Sequence, residues 1–545
     1  MDESRRREEK RVGLNGIHDV NDDDLRGRYP SFPRVVLTLV CLYLAIFLVA
    51  LDRTIIATAI PRITDTFHSL NDIGWYGSAY MLTCCSFQLV FGRVYTLYSP
   101  KWVYLGAIVL FEIGSVVCAA APSSAVFILG RAIAGIGASG LLSGAVVIVV
   151  YLVPLCKRPL YTGFIGGVFG VASVVAPLIG GGFTEHVSWR WCFYVNLPVG
   201  GVALLVIAFI LELPGDGPSL LSWRERLVRL DPLGTVLFLP GMVCLLLALE
   251  WGGTTYPWGS GRIVALFVLA GVLLLGFVAV QCWKQENGTV PPRIFLQRSI
   301  LAAFWYSFML NGAMVVVLYY LPIWFQVIKD ASAVKSGIMT LPMILGLVVG
   351  SIAAGGAVTA CGYFTPFMIV GSVLLAVGSG LMTTFTTTTG HGKWIGYQVC
   401  FGLGLGTGMQ QPAAAAQTIL QSQDVSTGVA LIFFAQYFGG ALWISVANNV
   451  FTNRLAHDVS GLAGIDPREI VQVGATALRS TLDSEQFAQV LPGYNSAVVS
   501  AFYVGVACAC ATVVGAWAME WKSMKAAVKE QTPKDKGIPN DVPQA

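Results

Sequence analysis

The sequence predicts an all-α integral membrane protein with fourteen membrane-spanning helices. Of its 545 residues, 55% are hydrophobic and only 12% are charged, and the mean hydropathy is +0.69. A soluble globular protein carries about 25% charged residues. The apolar residues fall into runs of about 20, the length at which a helix spans the hydrocarbon core of a bilayer. The net charge of +4 is small, which argues against nucleic-acid binding.

The fourteen apolar segments are separated by polar connections. Two of them have the least regular apolar pattern: the seventh contains Pro240 and Gly241, and the twelfth is rich in glycine and glutamine. The predicted spans lie near residues 35–60, 74–96, 102–121, 127–153, 160–184, 190–212, 231–250, 262–282, 299–325, 334–358, 365–386, 394–416, 427–452 and 497–519.

Lysine and arginine residues predict the orientation, because they are retained on the cytosolic side of a membrane. An even number of spans places both termini on one side. The segments on that side hold 22 of the 34 Lys and Arg residues, and those on the other side hold nine. We therefore expect cytosolic termini. The N-terminal segment lacks the apolar core and cleavage site of a signal peptide, so the first span should be an uncleaved anchor.

These spans divide the chain into two six-helix bundles joined by an extra pair of helices. Asp466 and Pro467, in the longest outer loop, resemble a helix start and predict short surface helices there. The predicted segments are a disordered cytosolic N-tail (1–34), an N-terminal bundle (35–212), two extra helices with cytosolic linkers (213–298), a C-terminal bundle (299–519) whose outer loop covers 453–496, and a cytosolic C-tail (520–545).

No motif in the chain predicts an enzyme, a metal site or a cofactor. The 12 cysteines form no CxxC pair and the five histidines are scattered over predicted tails and loops. The sequence Gly392-Lys393 is followed by Trp394, so it lacks the phosphate-binding loop of an ATP-driven pump. The glycosylation-like sequence Asn287-Gly288-Thr289 falls on the predicted cytosolic side, so we expect no glycosylation.

The first span contains two adjacent charges, Asp52 and Arg53, deep within apolar residues. An ionised side chain at the bilayer centre costs about 2.5–3.5 kcal/mol on insertion scales. Burial disfavours a charged carboxylate and a nearby cation favours it. Asp52 is therefore a candidate proton-carrying and gating residue, and a purely structural ion pair is the alternative. Asp52 shares a helix face with small and apolar residues: Ala45, Val49, Ile56 and Ala59.

Arg131 in the fourth span is a second candidate for proton coupling. Gly135 and Gly137 follow it, which predicts close helix packing and therefore a buried arginine that needs a partner. Asp52 and Glu112 are the candidate partners, so Glu112 joins the predicted coupling set. The alternative is that the long side chain of Arg131 extends to the membrane surface, with its guanidinium group in water and its apolar stem in the bilayer.

The fifth span is unusually rich in glycine. Pairs such as Gly163 and Gly167 have the four-residue spacing that lets helices approach closely, and Pro177 can kink a helix. We expect this span to contain a hinge within closely packed helices. The alternative is that its glycines only permit tight packing and that no part of the span moves. Its predicted residues are Gly163, Gly167, Gly170, Pro177, Gly180 and Gly181.

A central cavity between the two bundles would be lined by neutral polar and aromatic groups, which suit an uncharged or amphipathic substrate. Each of these residues has an equally good alternative role in bonding to a neighbouring helix. The candidates are Gln88, Asn311, Tyr319, Tyr320, Gln410, Gln411 and Gln436.

Taken in order, these motifs resemble the major facilitator superfamily, and within it the fungal fourteen-span drug:proton antiporters. The resemblance rests on the first-span motif, Arg131 with its glycines, span five, and two later segments, and it covers about residues 35–520. Two departures stand out: Thr96 occupies a position where the superfamily usually has Asp, and Ala176 precedes Pro177 where Gly is usual. The later segments are Trp189 to Gly200 and Leu431 to Gln436 with Gly439-Gly440.

The resemblance implies a major-facilitator-type fold and proton-coupled efflux of a drug, toxin or secondary metabolite by alternating access. It implies a monomer in the cell membrane, or in a vacuolar or vesicle membrane, whose partners are protons, a small-molecule substrate and the bilayer. The proton gradient would be the energy source, with no cofactor. A proton-coupled importer, for example of an iron chelate, and a non-transporting membrane sensor are the alternatives.

Overall fold

The structure is a computed structural model and describes residues 30–69, 72–213, 223–253, 255–460 and 483–526. Within those residues the chain is helical, and its only β-type pairing is one isolated bridge between Gly252 and Tyr256. The all-α prediction is confirmed. The N-terminal tail to residue 29, the central part of the predicted outer loop with Asp466 and Pro467, and the C-tail beyond residue 526 lie outside the described residues.

Fourteen long helices, numbered here in chain order, occupy the places of the predicted spans in the described part of the chain. They are α1 Phe32–Phe67, α2 Ile73–Leu97, α3 Pro100–Ala120, α4 Ser124–Leu152, α5 Arg158–His186, α6 Asn196–Ile210, α7 Pro232–Trp251, α8 Gly261–Lys284, α9 Arg298–Ile328, α10 Leu341–Cys361, α11 Thr365–Met382, α12 His391–Met409, α13 Val425–Val459 and α14 Ser484–Ala518.

Short helices flank several of these: Trp191–Tyr194 before α6, Trp223–Arg229 before α7, Pro292–Phe295 before α9, Ala333–Met339 before α10, and Gln411–Ile419 after α12.

Twelve helices of the described chain are long and apolar enough to cross a membrane, two fewer than the sequence predicted. The helices that do not qualify are α2 and α12. Both are rich in small and polar residues, and both pack within the helix bundle, α2 against α4 and α13, and α12 against α10 and α11. A helix covered by neighbours exposes less surface to lipid and needs a less apolar sequence.

Several predicted span boundaries differ from the ends of the helices. Helix α1 begins at Phe32, inside the predicted N-tail, with Pro33 in its first turn, where a missing N–H costs nothing. Helix α13 continues to Val459, beyond the predicted end of its span. Helix α14 begins at Ser484, well before residue 497, because Asp483 caps it in a reciprocal capping box with Gln486. The helices therefore extend into the predicted outer loop from both sides.

The two halves of the chain repeat one packing pattern. Helix α1 packs against α5 and α6, while α3 and α2 pack against α4. In the second half, α9 packs against α13 and α14, while α11 and α10 pack against α12. Corresponding glycines make corresponding contacts: Gly180 of α5 lies against Ile55 of α1, and Gly439 of α13 lies against Phe308 of α9. The halves meet along two helix pairs, α5 with α10 and α2 with α13.

Successive long helices run in opposite directions, so every second connection between them lies on the same face of the bundle. We call the face that holds the start of α1 and the end of α14 the terminal face. There Arg34 at the start of α1 pairs with Glu212 after α6 at 2.9 Å. Arg298 at the start of α9 donates to the carbonyl oxygen of Ala518 at 2.9 Å. This is the face that the sequence predicts to be cytosolic.

Asp231 fixes the extra helices α7 and α8 at the terminal face. Its buried carboxylate caps α7 by accepting from Gly234 N at 2.9 Å, and it accepts from Gln281 at 2.7 Å and from Lys284 at 2.9 Å. Thr289 donates to it through both its N–H and its hydroxyl. Burial raises the pKa of Asp231, but these hydrogen bonds together outweigh burial and lower the pKa to about 2.

Candidate functional site

Asp52 and Arg131 form a buried charge pair between α1 and α4. The Arg131 Nη1 and Asp52 Oδ2 atoms are 2.5 Å apart, and the two side chains are 0% and 1% exposed for Asp52 and Arg131 respectively. Arg53, although adjacent in sequence, is not the partner of Asp52. The structure therefore joins two charges that are 79 residues apart in the chain.

Three further helices contribute to this pair. Arg131 donates through Nε to the carbonyl oxygen of Tyr76 at 2.9 Å, and its guanidinium lies 4.5 Å from the ring centre of Tyr80. Both tyrosines belong to α2. On the other side, Asn196 at the start of α6 donates to Asp52 Oδ1 at 3.5 Å and to the hydroxyl of Ser115 in α3 at 3.1 Å. The ionisation state of Asp52 thus bears on the packing of five helices.

The glycines after Arg131 explain how α4 comes close enough to make these contacts. A Cβ atom added to Gly135 would collide with the carbonyl oxygen of Tyr80 in α2. One added to Gly137 would collide with the backbone of Phe111 in α3. Small residues at helix interfaces permit this approach within a membrane. The close packing predicted from the sequence is confirmed, and it excludes a surface-seeking Arg131.

Glu112, the other predicted partner of Arg131, does not contact it. Both carboxyl oxygens of Glu112 are buried and have no hydrogen-bond partner. They lie against Gly200 of α6 on the side of α3 that faces away from the bundle centre. The sequence offered both Asp52 and Glu112 as partners of Arg131. The rotation of α1 and α3 about their axes brings only Asp52 into contact with it.

Arg53 points toward the other half of the molecule. Its guanidinium carbon lies 5.9 Å from the ring centre of Tyr437 in α13. Because α1 and α13 belong to different halves, this cation–π contact crosses the interface between the bundles. The two adjacent charges in the first-span motif therefore serve different neighbours: Asp52 faces the interior of the first bundle and Arg53 faces the second.

The predicted close-packing glycines of α5 contact two different helices. Near the terminal face, a Cβ on Gly163 would lie 2.8 Å from the carbonyl oxygen of Ser351 in α10, whose hydroxyl donates to Gly163 O at 2.9 Å. Gly170 also contacts α10, through Val348, whereas a Cβ on Gly167 would reach ordinary contact with Ile352 at 3.4 Å.

The remaining members of the predicted α5 set lie further along the helix. Gly180 packs against Ile55 and Thr58 of α1, within the first bundle, and Pro177 sits inside a helix that continues to His186. A Cβ atom added to Gly181 would meet no neighbouring atom within 4 Å, so Gly181 makes no close packing contact, and its role in a hinge stays a prediction. The Cβ position of Gly181 therefore points away from the neighbouring helices, on a different side of α5 from Gly180.

Helices α2 and α13 also meet near the terminal face. Thr96, which stands where the superfamily usually has Asp, lies 2.8 Å from the Ser426 hydroxyl and 3.4 Å from that of Thr427. A Cβ on Gly92 would collide with Ala430. Together with the contact of α5 with α10, this packing closes the space between the halves at the terminal face.

Comparison with known proteins agrees with this architecture. Residues 42–444 match the family model of the Major Facilitator Superfamily. The chain belongs to this superfamily. "MFS-type efflux pump MFS1" of Arthroderma benhamiae is 53% identical to it, over 90% of this chain and 92% of the relative. "Rubrofusarin-specific efflux pump aurT" of Gibberella zeae is 49% identical over 91% of both chains. The solved structure of the superfamily proton:xylose symporter XylE shares the fold, with a TM-score of 0.60, 14% identity, and coverage of 91% of this chain and 99% of that one.

The residues predicted to line a substrate cavity of this superfamily member lie on helices of both halves. Gln88 is fully buried and its amide atoms have no partner. Asn311 donates to the carbonyl oxygen of Gln436, and Tyr320 packs inside the second half, with its hydroxyl 3.4 Å from Asn448. Tyr319 is 54% exposed and is therefore not part of the packed interior.

The last two predicted cavity residues, Gln410 and Gln411, lie at the junction between α12 and the short helix Gln411–Ile419. Gln410 is buried next to Gly166 of α5, at the boundary between the halves. Gln411 donates to the carbonyl oxygen of Thr407 at 3.0 Å, and its own amide oxygen has no partner. Gln88 and Gln411 thus each keep a buried amide oxygen without a hydrogen-bond partner, and the cavity role of the seven residues stays a prediction.

Sequence reasoning missed Asn196, Ser115, Tyr80 and Tyr437. Asn196 lies in the segment Trp189 to Gly200, and an amide within an apolar run was the available signal. Nothing in the sequence marks Ser115 or Tyr437. Across the described residues, no group of three or more His, Cys, Asp and Glu side chains could hold a metal ion.

Proposed function

We propose that this chain exports a small organic compound in exchange for protons by alternating access of its two halves. Its relatives of about 50% identity are named as efflux pumps and match it over most of both lengths. A relative named as a rubrofusarin-specific efflux pump favours a secondary metabolite as the substrate class. The neutral groups Gln88, Gln410 and Gln411 suit such a molecule better than a phosphate.

The Asp52–Arg131 pair carries the proposal. Removing one partner from a buried ion pair leaves an uncompensated charge and typically costs about 3–5 kcal/mol. Protonation of Asp52 weakens the attraction to Arg131, which keeps its bonds to the carbonyl of Tyr76 and the ring of Tyr80. Proton binding therefore changes the relative stability of arrangements of α1, α4 and α6. That is the property a proton-coupled carrier requires.

Alternating access requires the contacts at the terminal face to open. In the proposal, α2 and α12 complete fourteen spans, the terminal face is cytosolic, and the described state is closed toward the cytosol. Protons would load Asp52 from the more acidic outside and leave it inside. We also propose a monomer in the cell membrane, with no cofactor and with the proton gradient as energy source.

Mutation of Asp52 tests the proposal in two steps. Metabolites that accumulate inside producing cells when the transporter is removed identify its substrate. That compound is then assayed in proteoliposomes with an imposed pH gradient. We expect Asp52→Asn and Arg131→Ala to abolish uphill transport while Asp52→Asn keeps downhill exchange.

Asp65→Asn is the matched control, because Asp65 lies on the same helix but is exposed. Gradient-driven accumulation at the wild-type level by correctly inserted Asp52→Asn protein would remove Asp52 from the mechanism. It would leave the structural ion pair as the role of these two residues.

A further inference from the structure

Arg53 is a cation inside the helix bundle that has no acidic partner in the described part of the chain. Its side chain is partly exposed, it makes no hydrogen bond or ion pair with any described residue, and its nitrogen atoms are accessible. The adjacent carboxylate, that of Asp52, is bound by Arg131 at 2.5 Å. A guanidinium is always charged and carries five N–H donors. One positive charge and its donors are therefore available to a bound molecule.

The guanidinium of Arg53 lies between the two halves and not against lipid. Val49 and Ala50, one turn earlier on the same face of α1, are both 1% exposed, so this face of α1 is covered by protein. The guanidinium meets Tyr437 of α13, and Tyr437 lies about 18 Å along that helix from its start at Val425, by the 1.5 Å rise of each residue. Since the halves are in contact at the terminal face, Arg53 stands deep in the space between them.

Tyr437 places an aromatic surface beside the charge. Its ring centre is 5.9 Å from the guanidinium carbon of Arg53, and the Tyr437 side chain is itself partly exposed. The next residue, Phe438, is also partly exposed and stacks on Phe434 at an interplanar angle of 11°. Aromatic rings pack favourably against one another. A molecule with an aromatic ring next to a negative charge could contact both Tyr437 and Arg53.

We propose that Arg53 binds the negative charge of the exported compound, a carboxylate or an ionised phenol carried by an aromatic ring. An ionised arginine within a membrane is unfavourable without a partner, and an anionic substrate supplies that partner. A carboxylate can accept two parallel N–H bonds from a guanidinium. One guanidinium neutralises one charge, which favours a monoanion over a phosphate, because Arg131 is already paired with Asp52.

This inference rests on the proposed function and adds the charge of its substrate. The two neighbouring residues would then have separate tasks. Asp52 faces the interior of the first bundle and would hold the proton, whereas Arg53 faces the second half and would hold the substrate anion. Binding of the anion should therefore not depend on the charge of Asp52.

The experiment compares an aromatic acid with its neutral isostere. Equilibrium binding of radiolabelled 2-naphthoate and 2-naphthamide is measured on the full-length protein in lipid nanodiscs at pH 7, where the carboxylic acid is ionised. No proton gradient is applied. We expect the wild-type protein to bind the acid at least about tenfold more tightly than the amide. Equal affinities, or no saturable binding of 2-naphthoate, would overturn the proposal.

Variants of Arg53 separate recognition of the charge from a general effect on structure. Arg53→Gln should reduce the preference for the acid to less than about twofold, and Arg53→Lys should keep part of it, since lysine retains the charge but not the paired donors. Arg62→Gln is the matched control, because Arg62 lies on the same helix but is exposed. A purely structural loss would weaken both ligands alike. An unchanged preference in Arg53→Gln would therefore contradict the role of Arg53.

Asp52→Asn distinguishes this inference from the proposed function. The variant should keep the preference for 2-naphthoate, because Arg53 is unchanged and the assay needs no proton coupling. Loss of the preference in Asp52→Asn would overturn the separation of the two tasks. Equal binding of the acid and the amide by the wild-type protein would remove the anion site, but it would leave the proton-driven export of a neutral compound to the transport assay.

Discussion

Gly163→Ala should open the terminal face of the transporter. The new Cβ would lie 2.8 Å from the carbonyl oxygen of Ser351, and neither backbone atom can move without separating α5 from α10. Overpacking of this kind costs about 1–3 kcal/mol. Because the contact exists only while the halves are closed at this face, the cost shifts the equilibrium toward the open state by about 5–150-fold.

The neighbouring glycine supplies the control. A Cβ on Gly167 meets only the tip of Ile352, at 3.4 Å, so Gly167→Ala should leave the equilibrium unchanged within about twofold. Gly167→Leu, by contrast, would force α5 and α10 apart and should abolish transport in a correctly inserted protein. Gly181→Ala, where no atom lies within 4 Å, controls for the loss of a glycine from α5.

The assay measures access to the interface at the terminal face. Thr427 is 3% exposed and lies at the contact of α13 with α2. A Thr427→Cys reporter should react with a membrane-impermeant maleimide in inside-out vesicles, at a rate set by opening. We expect at least about fivefold faster labelling with Gly163→Ala than with Gly167→Ala. Equal rates in the two backgrounds would refute the role assigned to the α5–α10 contact.

Three further outcomes follow from the geometry. Asp52→Asn and Arg131→Gln should each lower the free energy of unfolding by about 3–5 kcal/mol. The double variant should lower it by clearly less than the sum of the two, because it leaves no unpaired charge. Additive losses in mixed-micelle unfolding would contradict the interaction between Asp52 and Arg131. Asp231→Ala should destabilise the protein by more than about 2 kcal/mol, since it leaves several buried donors unpaired. The pKa of Asp231 is about 2 in the folded protein, below the ordinary value of 3.8, so this contribution should be constant from about pH 5 to 8, fall as the pH drops below about 4 and be lost near pH 2. Melting curves between about pH 2 and pH 8 test it. A cysteine at exposed Asp483 should react with impermeant reagent in intact cells, and reaction only after permeabilisation would reverse the predicted orientation.

The sequence alone determined the class of this protein, because a helix that crosses the hydrocarbon core of a bilayer needs a run of about 20 apolar residues, and twelve of the described helices contain one. Helix positions followed from apolar runs, and the superfamily followed from the motifs around Asp52, Arg131 and Pro177. Helix ends did not follow, because the cap at Asp483 and the extension of α13 lie in polar sequence. No apolar pattern marks such a boundary.

Only the tertiary structure decided which polar groups meet. Glu112 and Asp52 were both candidate partners of Arg131 in the sequence, but the rotation of α3 turned Glu112 toward Gly200 of α6, while α1 turned Asp52 toward Arg131. Likewise, the glycines of α5 look alike in the sequence but differ in what they contact. Gly163 faces α10, Gly180 faces α1, and the Cβ position of Gly181 has no atom within 4 Å. A residue's chemistry is encoded locally, but its partner depends on the relative rotation and register of helices far apart in the chain. That arrangement is set by the packing of all their faces together.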